Sequence, residues 1–272
     1  MTSQVMGAGG CRSYGRPMTQ SPGALLRDWR RRRSLSQLEL ASRAGVSSRH
    51  LSCVETGRAR PTPEMILRLC DHLAVPLREQ NRVLLAGGYA PAHPEHGLGD
   101  PPMAEVSAAI EGILAAHLPF PALVVDTGWD LVAANEAVYA LLDGVAPRLL
   151  EPPVNVIRLT LDPAGLAPRI VNLDEWRDHL LTRLVREHDA SRDDRLAGLL
   201  AELGPDERRT PAPSPGLVVP LRLQVGGAEL SLLSTTTVFG TPREVTVSEL
   251  AIEAFYPADA ETRAVLLGRR DP

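Results

Sequence analysis

The chain has 272 residues, 44% of them hydrophobic, and a formal net charge of -4. That is enough apolar material for one large or two ordinary packed domains, and it excludes a wholly disordered chain. All 29 basic residues are Arg, and no apolar run approaches the length of a membrane span.

The charge is unevenly spread. Residues 1–90 carry 14 Arg against six Asp and Glu, whereas residues 91–272 carry 15 Arg against 27 acidic residues. A basic first part ahead of an acidic body suits a polyanion-binding module joined to a region that avoids nucleic acid. The three Cys form no C-x-x-C, so neither a disulfide framework nor a zinc site is expected. The N-terminus lacks the apolar core of a signal peptide, and a cytoplasmic location is expected.

Residues 1–20 show no periodicity and read as a disordered arm, or as an over-called start with translation beginning at Met18. Gly23 to Arg33 form a first helix with Leu25, Leu26 and Trp29 inward. The stretch LSQLELASRAGVSSRHLSCVETGRAR, Leu35 to Arg60, then reads as two short helices around a tight turn. Ser36 and Glu39 form a capping box, and Gly45 closes the first of these helices. Leu38, Ala41, Leu40 and Ala44 give its apolar stripe. Ser47 caps the second helix, in which Leu51 and Val54 point inward. Thr62 opens a fourth helix with Ile66, Leu69, Cys70 and Leu73 inward, and Leu77 to Ala86 form a fifth.

The pattern L-S-Q-x-E-L-A-x-x-A-G-V-S-x-x-x-L-S-x-x-E-T-G-x-x-x-P resembles the helix-turn-helix of the phage-repressor/Xre family, over about Leu25 to Tyr89. The resemblance implies an all-α, five-helix domain at 21–90 that binds a double-stranded DNA operator. It also implies roles for individual residues. Gln37 contacts phosphate and supports the reading helix. Ser47, Ser48, Arg49, Ser52 and Cys53 lie at or beside the base-facing surface, and Thr56, Arg58 and Arg60 flank the backbone. Arg49 is the strongest candidate for reading a base, because Arg can bond bidentately to guanine. Glu55 is expected to pair with an Arg of the same domain.

Residues 91–102 are rich in Pro and Gly and read as a linker. His93 and His96 lie three apart, but without neighbouring ligands they make no metal site. A second domain is expected over 103–272. Ala104 to Leu118 reads as a helix with Val106, Ile110, Ile113 and Leu114 inward. Strands follow at Pro121–Asp126 and Trp129–Ala133, then a helix capped by Asn135. Asp174 is read as the cap of a long helix through Trp176 and Leu184, and a further helix spans Asp194 to Leu203. Residues 204–216 read as an exposed loop. Strands Leu217–Val225, Glu229–Val238 and Glu244–Phe255 come next, with Gly226-Gly227 as a hairpin turn, and helix Asp259–Leu267 is last.

Within this half, N-V-x-R-L-x-L-x-P-x-G-L-A-P-R-I-x-N-x-x-E-W-R-x-H-L-L-x-R-L resembles the ligand-binding half of the MmyB-like regulators, and P-A-L-V-V-D-x-x-W-D-L-V-A-A-N precedes it. The resemblance implies an α+β, PAS-like domain, a sheet with helices over one face, that holds a fatty-acid-like ligand. Asn155, Arg158, Arg169 and Asn172 are polar members of the signature and are expected at the ligand carboxylate. Trp129 and Trp176 are expected in the core. No G-x-S-x-G, H-E-x-x-H, P-loop or dinucleotide fingerprint occurs, so the expected protein is a ligand-responsive, homodimeric regulator without catalysis or cofactor.

Overall fold

The computed structural model describes residues 20–191, 193–204 and 218–268. Its described residues form two compact units. One is helical and takes 20–96 together with 241–248; the other is α+β and takes the rest of 97–268. The readings for the N-terminal arm, Cys11, Met18 and most of the 204–216 loop lie outside the described residues.

The helical unit holds α1 (Pro22–Arg32), α2 (Gln37–Ala44), α3 (Ser48–Glu55), α4 (Pro63–His72) and α5 (Leu77–Ala86). Local chemistry sets their starts. Ser21, Ser36, Ser47 and Thr62 each cap a helix by accepting a backbone N–H from three residues on. At α2 the box is reciprocal, because the Glu39 carboxylate accepts the Ser36 N–H at 2.8 Å. Gly45 ends α2 at φ 66°, a left-handed conformation that costs Gly little. Leu26, Trp29, Leu40, Leu51, Ile66 and Leu69 are at most 1% exposed and fill one continuous core. Gly23 lets α1 approach α3 closely, since a Cβ there would lie 1.9 Å from the Val54 carbonyl oxygen. The expected stripe on α2 needs one correction. Leu38 is 69% exposed, and the buried face is Leu40, Ala41 and Ala44.

Two further segments join this unit. Asn81 of α5 accepts the N–H groups of Ala92 and His93 at 3.0 Å and donates to the His93 carbonyl at 2.8 Å. Residues 92–93, read as linker, are therefore fastened to α5. The second segment is a helical turn, Val245–Ser248, where the sequence suggested strand. Val245-Thr-Val looks β-prone because two of its side chains flank a third β-branched one. Glu244 overrides that preference by accepting the Val247 N–H at 2.7 Å and the His96 N–H at 2.7 Å.

The α+β unit begins with α6 (Ala104–Ala116), followed by β1 (Ala122–Val125), β2 (Leu131–Ala134) and α7 (Glu136–Ala140). Next come α8 (Val156–Leu161), α9 (Leu173–Ser191) and α10 (Asp194–Leu203), then β3 (Leu221–Val225), β4 (Ala228–Val238), β5 (Ala251–Pro257) and α11 (Ala260–Leu266). Asp174 lies inside the first turn of α9, where its charge suits the helix dipole, rather than at the cap. The five strands form one antiparallel sheet in the order β2-β1-β5-β4-β3. Gly226 and Gly227, at φ 57° and 86°, close the β3–β4 hairpin as a two-residue turn with both φ positive.

Alternation along the strands gives the sheet two buried faces. Leu123, Val125, Leu221, Leu223, Leu230 and Leu232 meet Trp176, Leu180 and Leu184 of α9 on one face. Ala122, Val124, Ile252 and Ala254 meet Ile110 and Leu114 of α6 on the other. Helices thus cover both faces, not one as expected. Ile113, expected inward on α6, is 43% exposed.

Candidate functional site

On the helical unit, α3 offers a polar outer face over a fixed inner one. Leu51 and Val54 are 1% exposed, Ser48 and Arg49 are exposed, and Ser52 and Cys53 are half-buried. The Ser47 hydroxyl caps the helix by accepting the His50 N–H at 3.1 Å. The last residue of α3, Glu55, is 2% exposed and is held by Arg30 through two bonds, Nε to Oε1 at 2.6 Å and Nη2 to Oε2 at 2.8 Å. Gln37 Nε2 donates to the same carboxylate at 2.8 Å. Burial alone would raise the Glu55 pKa, but the bonds from Arg30 and Gln37 outweigh it and hold the carboxyl below its ordinary range. Three helices are thereby locked around one charge, which fixes the pose of α3.

The other expected DNA-facing residues divide by how they are engaged. Arg49 and Arg58 are exposed and have no partner among the described residues. The Thr56 hydroxyl donates back to the Ser52 carbonyl at 2.8 Å. Arg60 is tied to its own unit: Nη2 donates to the Gly87 carbonyl at 2.7 Å, and the guanidinium lies 5.2 Å from the Tyr89 ring centroid. Gln37, read as a phosphate contact, has its amide nitrogen committed to Glu55.

The α+β unit contains a cavity between the sheet and helices α7, α8 and α9. Its volume is about 80 Å³. Leu123, Leu141, Ile157, Leu180, Leu223 and Phe255 are among its apolar walls. The apolar lining suits a hydrophobic group. Trp129 and Trp176, expected in the core, are both 4% exposed and both line it.

Polar groups gather at one side of the lining: His179 and Arg183 from α9, Ser234 from β4 and Glu253 from β5. Arg183 grips Glu253 through Nη1 to Oε2 at 2.9 Å and Nη2 to Oε1 at 2.6 Å, and its Nε reaches Glu187 Oε1 at 2.8 Å. Its guanidinium lies 4.4 Å from the Trp129 ring centroid, and the Trp129 indole donates to Glu187 Oε2 at 2.7 Å. Burial would lower the Arg183 pKa, but Glu253 and Glu187 outweigh it and hold the group protonated. Burial and the neighbouring Arg183 push His179 below its ordinary value. Its ring stacks on Trp176 at 5.2 Å, and the buried Trp176 indole N–H has no hydrogen-bond partner among the described residues.

The four residues expected at a ligand carboxylate are not among those that line the cavity. Asn155 caps α8 and donates to the Gly128 carbonyl and to Asp130. Arg158 makes a paired, half-exposed ion pair with Glu202. Arg169 donates to the Leu141 carbonyl, and Asn172 bridges Pro220, Glu175 and the Arg222 N–H. These are bonds that close loops and join elements. The polar pole that does line the cavity was missed, although two signals for it exist: His179 and Arg183 are themselves letters of the E-W-R-x-H-L-L-x-R-L signature, and Glu253 breaks an apolar strand face. In β5, Glu253 occupies the same alternating phase as Ala251 and Phe255, an acid at an inward position.

Among the described residues no three His, Cys, Asp or Glu side chains converge as a metal site, and no helix is long and apolar enough to cross a membrane. Cys53 and Cys70 are free, and burial pushes the Cys70 thiol up to about 12.

Comparison with known proteins gives two family matches. The MmyB-like transcription regulator ligand binding domain matches residues 106–267, and a helix-turn-helix domain matches residues 23–83. Two crystal structures of the clp gene regulator ClgR from Corynebacterium glutamicum are similar at 27% and 25% identity. They cover 27% and 37% of this chain and 91% and 90% of those chains, with a TM-score of 0.23 in each case. No curated protein matches.

Proposed function

We infer, for a chain that belongs to the MmyB-like transcription regulators, that it is a sequence-specific operator-binding protein whose α+β unit senses a small, fatty-acid-like ligand through its hydrophobic chain. The family and the helix-turn-helix make it a DNA-binding transcription regulator. The single observation that carries the sensor reading is the apolar cavity bounded by Leu123, Ile157, Leu180 and Phe255. A sheet with helices packed on it and a cavity between them supports the PAS-like reading.

On DNA, Arg49 reads a base edge, Ser48, Ser52 and Cys53 line the same face, and Arg58 meets phosphate. Gln37 and Glu55 act from behind by fixing α3. Repressor-type modules bind two half-sites as dimers, so a cytoplasmic homodimer is the working form. Ligand and operator are linked because a ligand that favours one arrangement of the protein shifts operator affinity by that preference. Chain connectivity supports such a link. After β4 and before β5, both of which line the cavity, residues 241–248 are built into the helical unit.

Mass spectrometry of the purified protein, native and after organic extraction, tests the sensor reading. An acyl compound at about one per chain is expected. A clean apo mass, together with no uptake of added acyl compounds, would favour a ligand-free dimerisation platform instead.

A further inference from the structure

Strand β4 outruns its outer neighbour. β3 pairs with it over Ala228–Leu232, whereas β5 pairs with it over Leu232–Val238. Past Leu232, the side of β4 that faced β3 is a free edge among the described residues. The Ser231 carbonyl accepts the Ala258 N–H at 2.8 Å, just past the end of β5, so the odd-numbered residues of β4 direct their backbone groups toward β5. Ser234, Thr236 and Val238 direct theirs outward, where no backbone group among the described residues meets them. We propose that this edge, Ser234–Val238, is the surface on which two copies of the chain pair, strand against antiparallel strand, with the two-fold axis at Thr236. This rests on the homodimer reading above and gives it a surface.

The edge is self-complementary. With Thr236 on the axis, Ser234 meets Val238 of the second copy and Thr236 meets its own counterpart. These residues point outward on both strands, so each opposed pair exchanges both of its backbone N–H···O bonds. Thr235 then stands across from Thr237, a cross-strand pair of a kind that stabilises sheets. The stretch S-T-T-T-V holds no charge, so the axis brings no like charges together. Its last four residues are β-branched and exposed, Val238 at 63%. A solvent-facing edge is usually blunted by Lys, Pro, a bulge or an inward charge, and β4 carries none of these here.

The chain ahead of β3 is a poor occupant of the edge. The register of β3 sets Val219 against Ser234, yet Val219 makes no backbone bond to it. Pro220 is held from the other edge of β3, where its carbonyl accepts from Asn172 Nδ2 at 2.8 Å. Carried further, the same register sets Pro215 against Val238, with no N–H to give. A five-residue pairing is smaller than the interface of a permanent dimer. Association of the free protein is therefore weak, and it is completed when two helix-turn-helix domains take adjacent half-sites. The same strand reaches the cavity, because Ser234 lines it.

Cysteine cross-linking tests the register, on the full-length protein with Cys11, Cys53 and Cys70 replaced by Ala. Thr236→Cys brings two sulfurs to the axis, where facing Cα atoms lie about 5.5 Å apart, within disulfide reach. Val238→Cys alone leaves its two copies about 13 Å apart along the strands, out of reach. The expected result on mild oxidation is a disulfide dimer from Thr236→Cys at least tenfold faster than from Val238→Cys. Ser234→Cys mixed with Val238→Cys should give the mixed dimer. Sedimentation velocity, free and on operator DNA, supplies a second readout on the chain with its own cysteines. Thr236→Lys, at an exposed position outside the cavity lining, should weaken self-association at least tenfold, and Thr236→Ser should leave it unchanged. If the cysteine-free chain fails to fold, the sedimentation ranking decides alone. Self-association that Thr236→Lys leaves unchanged, or cross-linking no faster at Thr236 than at Val238, overturns the proposal and leaves the homodimer reading standing. A monomer at every concentration, with and without operator, overturns both.

Discussion

Both units hold an Arg–Glu pair through two bonds, one buried and one with its Arg side chain 22% exposed, and the two pairs sit in different surroundings. In the helical unit Arg30 and Glu55 lie beside a filled core and are joined by Gln37. In the α+β unit Arg183 and Glu253 stand at the wall of a cavity. The same bidentate chemistry therefore does two jobs. Around a filled core it fixes one arrangement of three helices. Beside the cavity it places a compensated charge pair in the wall.

The largest expected effect breaks the first pair. Glu55→Ala leaves Arg30 buried without its carboxylate, which costs about 3–5 kcal/mol. Hydrogen exchange of the α1–α4 amides should show that loss of opening free energy; a change under about 1 kcal/mol would mean the pair is not structural. Acid acts on the same group. Because the folded Glu55 pKa is depressed, its contribution is present above the unfolded value of about 4.3 and is lost as pH falls through the folded value. In Glu55→Gln that part of the acid dependence should vanish.

A matched pair of substitutions then sharpens the contrast between filled and open cores. Leu51→Phe adds volume where Leu51 is 1% exposed and should destabilise by about 1–3 kcal/mol. Leu142→Phe adds volume at the cavity wall and should leave stability within about 0.5 kcal/mol while abolishing uptake of decanoate. Equal destabilisation by the two, read by hydrogen exchange in each unit, would show that the cavity has no room for a ligand.

The smallest effect is on specificity. Arg49→Ala should lower discrimination for an operator selected from random duplexes by about 1–3 kcal/mol while weak non-specific binding survives. Equal loss on operator and random DNA, measured by anisotropy at fixed salt, would make Arg49 a phosphate contact only.

The units also differ in how far their sequences disclose them. In the helical unit each start is set within three residues, as at Ser36 with Glu39 or Ser47 with His50, and the core follows a helical period. Even the partner type of Glu55 was legible, though not which Arg. In the α+β unit the strands and hairpin were legible from alternation and Gly226-Gly227, but the polar pole was not. Arg183 and Glu253 are 70 positions apart, and only the packing of α9 on the sheet brings them together. Asn155, Arg158, His179 and Arg183 all belong to the same signature, yet the bonds of the first two close loops and elements while the last two line the cavity, a division that membership of the signature does not disclose. The helical turn at Val245–Ser248 was missed because Glu244 caps it against the preference of its β-branched neighbours.

The central claim is that occupation of the cavity changes the affinity of the helix-turn-helix for DNA. Anisotropy of a labelled, selected operator, titrated with the full-length protein with and without saturating decanoate, tests it directly. The account predicts a shift in operator Kd of about fivefold or more, mirrored by an equal shift in decanoate Kd when operator is present. Decanoate that binds while both constants stay unchanged would contradict it.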